Sequence, residues 1–143
     1  MEPKDKKKVN VDNDLLEALN RTLELEYTLI IYYPRISERI KDIETKHLTQ
    51  SLGTASIGHA DTVSRAITKL GGRPRWTLGP FPREKDLNKI FQEQLEKEKL
   101  ALKLHQQIVV LTTDSSLRSQ FIEMSKEEEL HIKTVQKILD KLA

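Results

Sequence analysis

Six polar side chains occupy core-facing positions within the otherwise apolar stripes of this 143-residue chain: Glu26, Ser56, His59, Glu98, Glu128 and His131. The serine and histidine of one pair, and the glutamate and histidine of the other, are three residues apart, which places each pair on one helical face. Carboxylate and imidazole ligands together suit Fe, Mn or Zn. A metal with an open coordination position can react with oxygen or peroxide.

An internal repeat relates these positions. Shifting the chain by 72 residues superposes Glu26 on Glu98 and the segment 56–59 on the segment 128–131. In each half the first glutamate precedes the histidine by 33 residues, so a helical hairpin brings the two to about the same height, deep inside a bundle. The pattern therefore predicts one helical hairpin used twice, with its polar groups converging.

Converging carboxylates and imidazoles need partners, because an unpaired buried charge costs several kcal/mol. A bound metal is one solution. The alternative is a hydrogen-bonded network of glutamate and histidine that fixes helix register. Repetition of the whole set at one offset favours the metal.

Four long helices account for the periodicity. The segment 12–14 predicts an N-cap for the first helix, which Pro34 bends and which ends in the polar segment 42–46. The second helix ends at Gly71-Gly72. A connector over 71–82, rich in Pro and Gly, is long enough to run the length of a bundle, so we predict a crossover.

The third helix follows this crossover, and the polar segment 112–116 ends it and caps the fourth. The expected fold is an all-α, antiparallel four-helix bundle over 12–143, built from two hairpins and preceded by a polar, Lys-rich tail over 1–11. Trp76 and Phe81 are expected to seal the flank of the bundle or a subunit contact.

The composition excludes several classes of protein. With no Cys there is no disulfide, thiolate metal site or iron–sulfur cluster. No apolar run reaches the roughly 18 residues of a membrane span, and no signal peptide is evident, so we expect a cytoplasmic protein without a membrane partner. A formal charge of +2 gives no ground for expecting nucleic acid as a partner.

Glu on the first helix, Glu-x-x-His on the second, Glu on the third and Glu-x-x-His on the fourth is the pattern of the ferritin-like di-iron carboxylate family. The segments 19–33, 59–61 and 127–132 resemble bacterioferritin and its rubrerythrin relatives, and the resemblance runs from about residue 12 to the C-terminus. It implies that Glu26 and His59 bind one iron, that Glu98 and His131 bind the other, and that Glu128 bridges them.

The chain departs from the family at four points. Ser56 replaces the second bridging glutamate, so the metal pair is asymmetric, or one metal binds tightly, or the site is a relic. Ile57 replaces the methionine of haem-binding members, so no haem is expected. Ala101 removes a carboxylate of the rubrerythrin peroxidase site. The sequence ends at Ala143, directly after the fourth predicted helix and without the short fifth helix of cage-forming ferritins, so a homodimer or small homo-oligomer is expected.

The predicted function is a ferritin-like, metal-binding protein with one or two Fe per chain, with Mn or Zn as alternatives, which reacts Fe(II) with oxygen or peroxide. A metal-poor bundle acting as a structural or interaction module is the second hypothesis, and enzymatic activity stays open between them. Tyr33 is interpreted as a core residue or a redox group near the metal. His105, about 10 Å along its helix from Glu98, is interpreted as a hydrogen-bonded packing residue or an outer metal site.

Overall fold

The computed structural model describes residues 3–142, with side chains from residue 13 onward. Four α-helices form it: α1 (Pro3–Ser37), α2 (Ile43–Lys69), α3 (Leu87–Leu111) and α4 (Ser115–Leu142). Helix α1 packs against α2, α3 packs against α4, and contacts of α1 with α3 and of α2 with α4 complete the bundle. Between residues 3 and 142 there is no strand, and no helix is long and apolar enough to cross a membrane. The predicted all-α four-helix fold is confirmed.

Aspartate side chains set the starts of three helices. The Asp42 carboxylate accepts hydrogen bonds from the Thr45 backbone N–H (3.0 Å) and hydroxyl (2.6 Å). Asp86 and Asp114 cap α3 and α4 through the same kind of bond to backbone N–H groups of the first turn. Each cap satisfies donors that the first turn of a helix leaves free.

Helix α2 ends as the sequence predicted. Gly71 has a positive φ of 82°. The Gly71 N–H donates to the carbonyl of Thr68, and the Gly72 N–H donates to the carbonyl of Ile67. This pair of bonds is the Schellman motif, in which glycine takes the left-handed conformation without the strain a Cβ would add.

Three predicted boundaries differ from the structure. Helix α1 begins at Pro3 and not after the segment 12–14. Proline is compatible with the first turn of a helix, and residues that favour the N-cap position can also lie inside one. It ends at Ser37, one turn after Pro34, and Asp42 belongs to the next helix. The crossover predicted over 71–82 continues until Asp86 caps α3. The expectation of a polar tail over 1–11 falls on side chains outside the described ones.

The crossover runs along α1 toward its C-terminal end. The Arg75 backbone N–H donates to the Asn20 side-chain carbonyl (2.9 Å), and the Gly79 N–H donates to the Thr28 hydroxyl (2.9 Å). Because positions increase together along both segments, the connection carries the chain back along the bundle. Helix α3 therefore starts beside the end of α1 and is antiparallel to it.

The two crossover aromatics pack on α1. The Trp76 ring meets Tyr27 edge-on with ring centroids 5.5 Å apart, and the Phe81 ring meets Tyr32 at 4.8 Å. Trp76 nevertheless remains 52% exposed. Of the two roles predicted for these residues, the structure shows the packing on the bundle flank.

Candidate metal centre

A polar layer divides the apolar core of the bundle. One hydrophobic cluster, which includes Leu19, Val63 and Phe121, lies on one side, and another, which includes Phe91 and Val135, lies on the other. The layer between them holds fully or nearly fully buried polar side chains: Glu26, Ser56, His59, Glu98, His105, Glu128 and the 12%-exposed side chain of His131. All six residues that the sequence singled out for chemistry lie in this layer.

Glu128 is the centre of the layer. Its Oε1 atom is 3.0 Å from Nδ1 of His59, and its Oε2 atom is 3.5 Å from Nδ1 of His131. Each oxygen of one carboxylate thus faces a different imidazole. This is the disposition that a bridging carboxylate requires.

The other two carboxylates flank Glu128. Oε1 of Glu26 is 3.5 Å from Nδ1 of His59. Oε2 of Glu98 is 3.5 Å from Nδ1 of His131. The structure therefore separates the layer into a Glu26 side and a Glu98 side, each with one of the two repeated histidines, as the 72-residue repeat predicted. That these residues bind metal stays a prediction.

Burial and close contact shift the protonation equilibria of the layer. Burial favours neutral His59, but its hydrogen bond to Glu128 and its 3.5 Å contact with Glu26 outweigh this and raise its pKa to about 11. For His131 the same balance, dominated after burial by Glu128, raises the pKa to about 10. Burial, then contact with Glu98, raises the pKa of Glu128 to about 9. In the metal-free layer at neutral pH, these shifts favour the protonated forms of His59, His131 and Glu128.

Glu98 stays ionised. Burial opposes its charge, but contacts with Glu128 and His131 hold the pKa of the Glu98 carboxyl below its usual range. The Tyr33 hydroxyl donates a 3.0 Å hydrogen bond to Oε1 of Glu98. Burial and the Glu98 charge raise the pKa of Tyr33 well above its usual value, which keeps this hydroxyl a donor. Tyr33 thus belongs to the apolar core by its ring and touches the site through its hydroxyl.

Several buried atoms of the layer lack a hydrogen-bond partner. They are both oxygens of Glu26, Oε2 of Glu98, Oε2 of Glu128, Nδ1 of His131 and both ring nitrogens of His105. Buried polar atoms are normally satisfied, and leaving one unpaired costs about 1–3 kcal/mol. Oxygen and imidazole donors aimed at a common space fit a divalent cation, which would satisfy them together.

Glu127 and His105 contact the site in ways that the sequence does not predict. Glu127 has a 55% exposed side chain, and its Oε2 lies 2.5 Å from Nε2 of His59, the ring nitrogen that does not face Glu128. A carboxylate on the outer nitrogen orients a metal-binding histidine. Glu127 lies off the apolar stripe of α4, so periodicity could not indicate it; its place beside Glu128 was the available signal.

The sequence leaves His105 as either a hydrogen-bonded packing residue or an outer metal site. It is fully buried, its Nε2 lies 3.7 Å from Oε1 of Glu26, and burial lowers its pKa to about 4. The separation of about 10 Å along α3 applies to His105 and Glu98, whereas Glu26 lies on the neighbouring helix α1. Because α1 and α3 pack against each other, the two side chains meet.

Ser56 lies where the sequence placed it, buried in the layer one turn before His59. Its hydroxyl donates to the backbone carbonyl of Leu52 at 3.3 Å. Ser and Thr in helices commonly make this bond to the preceding turn. Ser56 therefore contributes no carboxylate to the layer.

A family model described as a ferritin-like domain matches residues 16–143. No curated protein matches the sequence. Among solved structures, a ferritin-like, di-iron carboxylate protein from Bacillus anthracis superposes with a TM-score of 0.83 at 21% identity, covering 90% of this chain and 97% of that one. BfrA, a bacterioferritin of Mycobacterium tuberculosis, has a TM-score of 0.78 at 23% identity, covering 90% and 86%.

The third similar structure is a bacterioferritin-related protein from Bacteroides fragilis, described as a dodecameric thioferritin. It has a TM-score of 0.80 at 18% identity and covers 96% of this chain and 94% of that one. At these identities the three structures bear on the fold, which they share with this chain.

Proposed function

The chain belongs to the family of ferritin-like domains, and from this premise we propose that its buried layer binds non-haem iron and that the protein oxidises Fe(II) with oxygen or peroxide. The observation that carries the proposal is the convergence of Glu26, Glu98, Glu128, His59 and His131 in an apolar core, with metal-binding atoms left unpaired. A layer that served only to fix register would pair its polar atoms within the protein.

The side chains divide the work of binding. Glu26 and His59 hold one position, Glu98 and His131 hold the other, and Glu128 faces both histidines between them. Bound Fe(II) supplies one electron per ion to the oxidant. Mn and Zn share the ligand preference and are the alternative metals.

The surrounding residues prepare the layer for this chemistry. The two hydrophobic clusters exclude water from both sides of the layer. Tyr33 holds one oxygen of Glu98, and Glu127 holds the outer nitrogen of His59. With one oxygen of Glu98 occupied by Tyr33, its other oxygen, Oε2, is left for a metal.

Metal stoichiometry tests the proposal. The full chain is loaded with Fe(II) under anaerobic conditions, and its iron is measured by elemental analysis before and after chelation. Bound iron followed by oxygen-dependent oxidation is the expected result, and Glu128→Gln abolishes both. Glu129→Gln, which changes an exposed carboxylate next along α4, is the matched control.

Ser56 favours the second candidate, a metal-poor bundle that acts as a structural or interaction module. Under that alternative, neither the iron content nor the melting temperature responds to Fe(II). One iron per chain supports an asymmetric site, and two show that the serine is tolerated.

Three finer features complete the proposal. The chain assembles into a homodimer or a small homo-oligomer in the cytosol, which light scattering on the purified protein and cell fractionation test. It binds no haem, since Ile57 stands where haem-binding relatives carry methionine. Incubation with haemin should then produce no haem–protein absorption bands.

A further inference from the structure

His105 is a buried imidazole whose surroundings do not account for it. Its side chain has no solvent exposure, and neither ring nitrogen makes a well-formed hydrogen bond. A backbone group of Met124 lies near the ring. Phe121 packs edge-on against it with ring centroids 5.4 Å apart. A phenyl ring would fill this position at less cost, because it carries no nitrogen to satisfy.

The unpaired ring faces the Glu26 side of the layer. Its Nε2 atom lies 3.7 Å from Oε1 of Glu26, and the same oxygen lies 3.5 Å from Nδ1 of His59. Glu26, His105 and Glu128 offer one donor atom each, and these atoms all lie within 4.8 Å of one another. Donors at about 2.0–2.2 Å from a common cation lie roughly 3–4 Å apart.

Ser56 leaves both sides of the layer without the second bridging carboxylate. The serine is buried on α2 beside His59, and its hydroxyl is engaged with Leu52. It offers no carboxylate to a cation held by Glu26. The layer nevertheless contains one additional donor, His105 on α3, whose Nε2 faces Glu26 and makes no well-formed hydrogen bond.

We infer that His105 is a ligand of the metal on the Glu26 side. There it joins Glu26, His59 and Glu128 and adds a donor atom that Ser56 does not supply. The inference rests on the proposed metal binding. It makes the two positions chemically different: the Glu26 side has two imidazoles, whereas the Glu98 side has only His131. Because imidazole suits borderline divalent cations, the first equivalent of such a cation binds on the Glu26 side.

Cobalt(II) substitution tests the assignment without reference to activity. Each histidine bound to Co²⁺ through one nitrogen retains an exchangeable N–H on the other, and the paramagnetic ion shifts its proton resonance far from the protein envelope. In the full chain, the first equivalent of Co²⁺ is expected to shift two such resonances and the second equivalent a third. If each equivalent of Co²⁺ shifts only one histidine N–H resonance, giving two in total, the inference is overturned.

Variants assign the signals. His105→Phe fills the position next to Phe121 and is expected to remove one of the first two resonances. The affinity for the first equivalent of Co²⁺ should fall by more than the roughly 10- to 100-fold that loss of an outer hydrogen-bond partner costs. His47→Asn removes a histidine exposed near the start of α2 and is the matched control, with unchanged resonances and affinity. Circular dichroism establishes that each variant is folded.

Adding Ser56→Glu to His105→Phe separates ligation from packing. A carboxylate on α2 beside His59 should restore tight binding of the first equivalent of Co²⁺, because it supplies a donor in place of His105 on α3. Recovery supports the inference, whereas persistent weak binding assigns the loss to packing at residue 105 and overturns it. If the unaltered chain binds no Co²⁺ or Fe²⁺, the proposed function itself fails. If the unaltered chain and His105→Phe bind Co²⁺ equally well, the inference fails but the proposed function stands.

Discussion

Replacing Glu128 by glutamine should stabilise the metal-free protein while abolishing metal binding. The side chain is fully buried, and burial with contact to Glu98 raises its pKa to about 9 from the ordinary 4.5. At pH 7 the folded protein therefore holds Glu128 neutral, while the unfolded chain releases the proton. The difference of about 2.5 pH units from 4.5 to 7, at about 1.4 kcal/mol per unit, costs the native state about 3 kcal/mol.

Glutamine removes this cost because it cannot ionise in the unfolded chain. For the unaltered protein, the folded state binds one more proton than the unfolded state between pH 4.5 and 9, so its stability falls as pH rises through that window. The stability gained by Glu128→Gln should accordingly be near zero at pH 4.5, about 3 kcal/mol at pH 7, and level above pH 9. For a chain of this size, the gain at pH 7 corresponds to roughly 10 °C in melting temperature.

Urea denaturation of chelator-treated protein, followed by circular dichroism at several pH values, measures this difference. Glu129→Gln, with its exposed carboxylate on the same helix, should show little change at any pH. With saturating Zn²⁺, the unaltered protein should become more stable than Glu128→Gln. At about 1,000 times its Kd, a ligand that binds only the folded state contributes about 4 kcal/mol, and the variant forgoes this gain. A gain in stability that does not grow with pH, or a loss, would show that Glu128 is ionised without metal and would refute the reasoning.

The same contacts predict how metal binding depends on bound protons and on Glu127, and how stability depends on Tyr33. Metal binding at pH 7 should release about three protons per fully loaded chain, from His59, His131 and Glu128, measured with a pH indicator in weak buffer; no release would contradict the raised pKa values. Glu127→Gln should weaken metal binding roughly 10- to 100-fold in chelator competition, because His59 loses its orienting carboxylate; unchanged affinity would deny that role. Tyr33→Phe leaves a buried carboxylate oxygen unpaired and should cost about 1–3 kcal/mol in urea denaturation, unless metal holds that oxygen instead.

Most of the fold was predictable from the chain because its signals are local. Apolar periodicity indicated four helices, and Gly71-Gly72 marked the end of α2 through the left-handed conformation that glycine accepts. The boundaries that were wrong involve competing signals. From the sequence, Asp42 is equally compatible with the polar end of α1 and with the N-cap of α2. Its hydrogen bonds to Thr45 show that it is the N-cap of α2. Pro34 gave no sign that α1 would end one turn later.

The candidate site divides in the same way between local and non-local information. The 72-residue repeat brought Glu26, His59, Glu98 and His131 together correctly, because a repeat in sequence implies equivalent heights in the two hairpins. Separation along one helix could not locate His105. Its distance from Glu26 depends on how α1 faces α3, which only the packed bundle determines.

The protonation of the metal-free layer explains how a bundle can carry such a core before any metal arrives. Two imidazolium groups, an ionised Glu98 and a neutral Glu128 leave less net charge buried than three carboxylates would. The arrangement still sacrifices stability, since apolar residues of similar volume usually do as well as a buried ionic group or better. A register-fixing role needs one satisfied polar pair and gives no reason for unpaired oxygens on three helices. A cation that replaces the protons satisfies those oxygens at once, and for this reason metal binding accounts for the layer better than a structural role does.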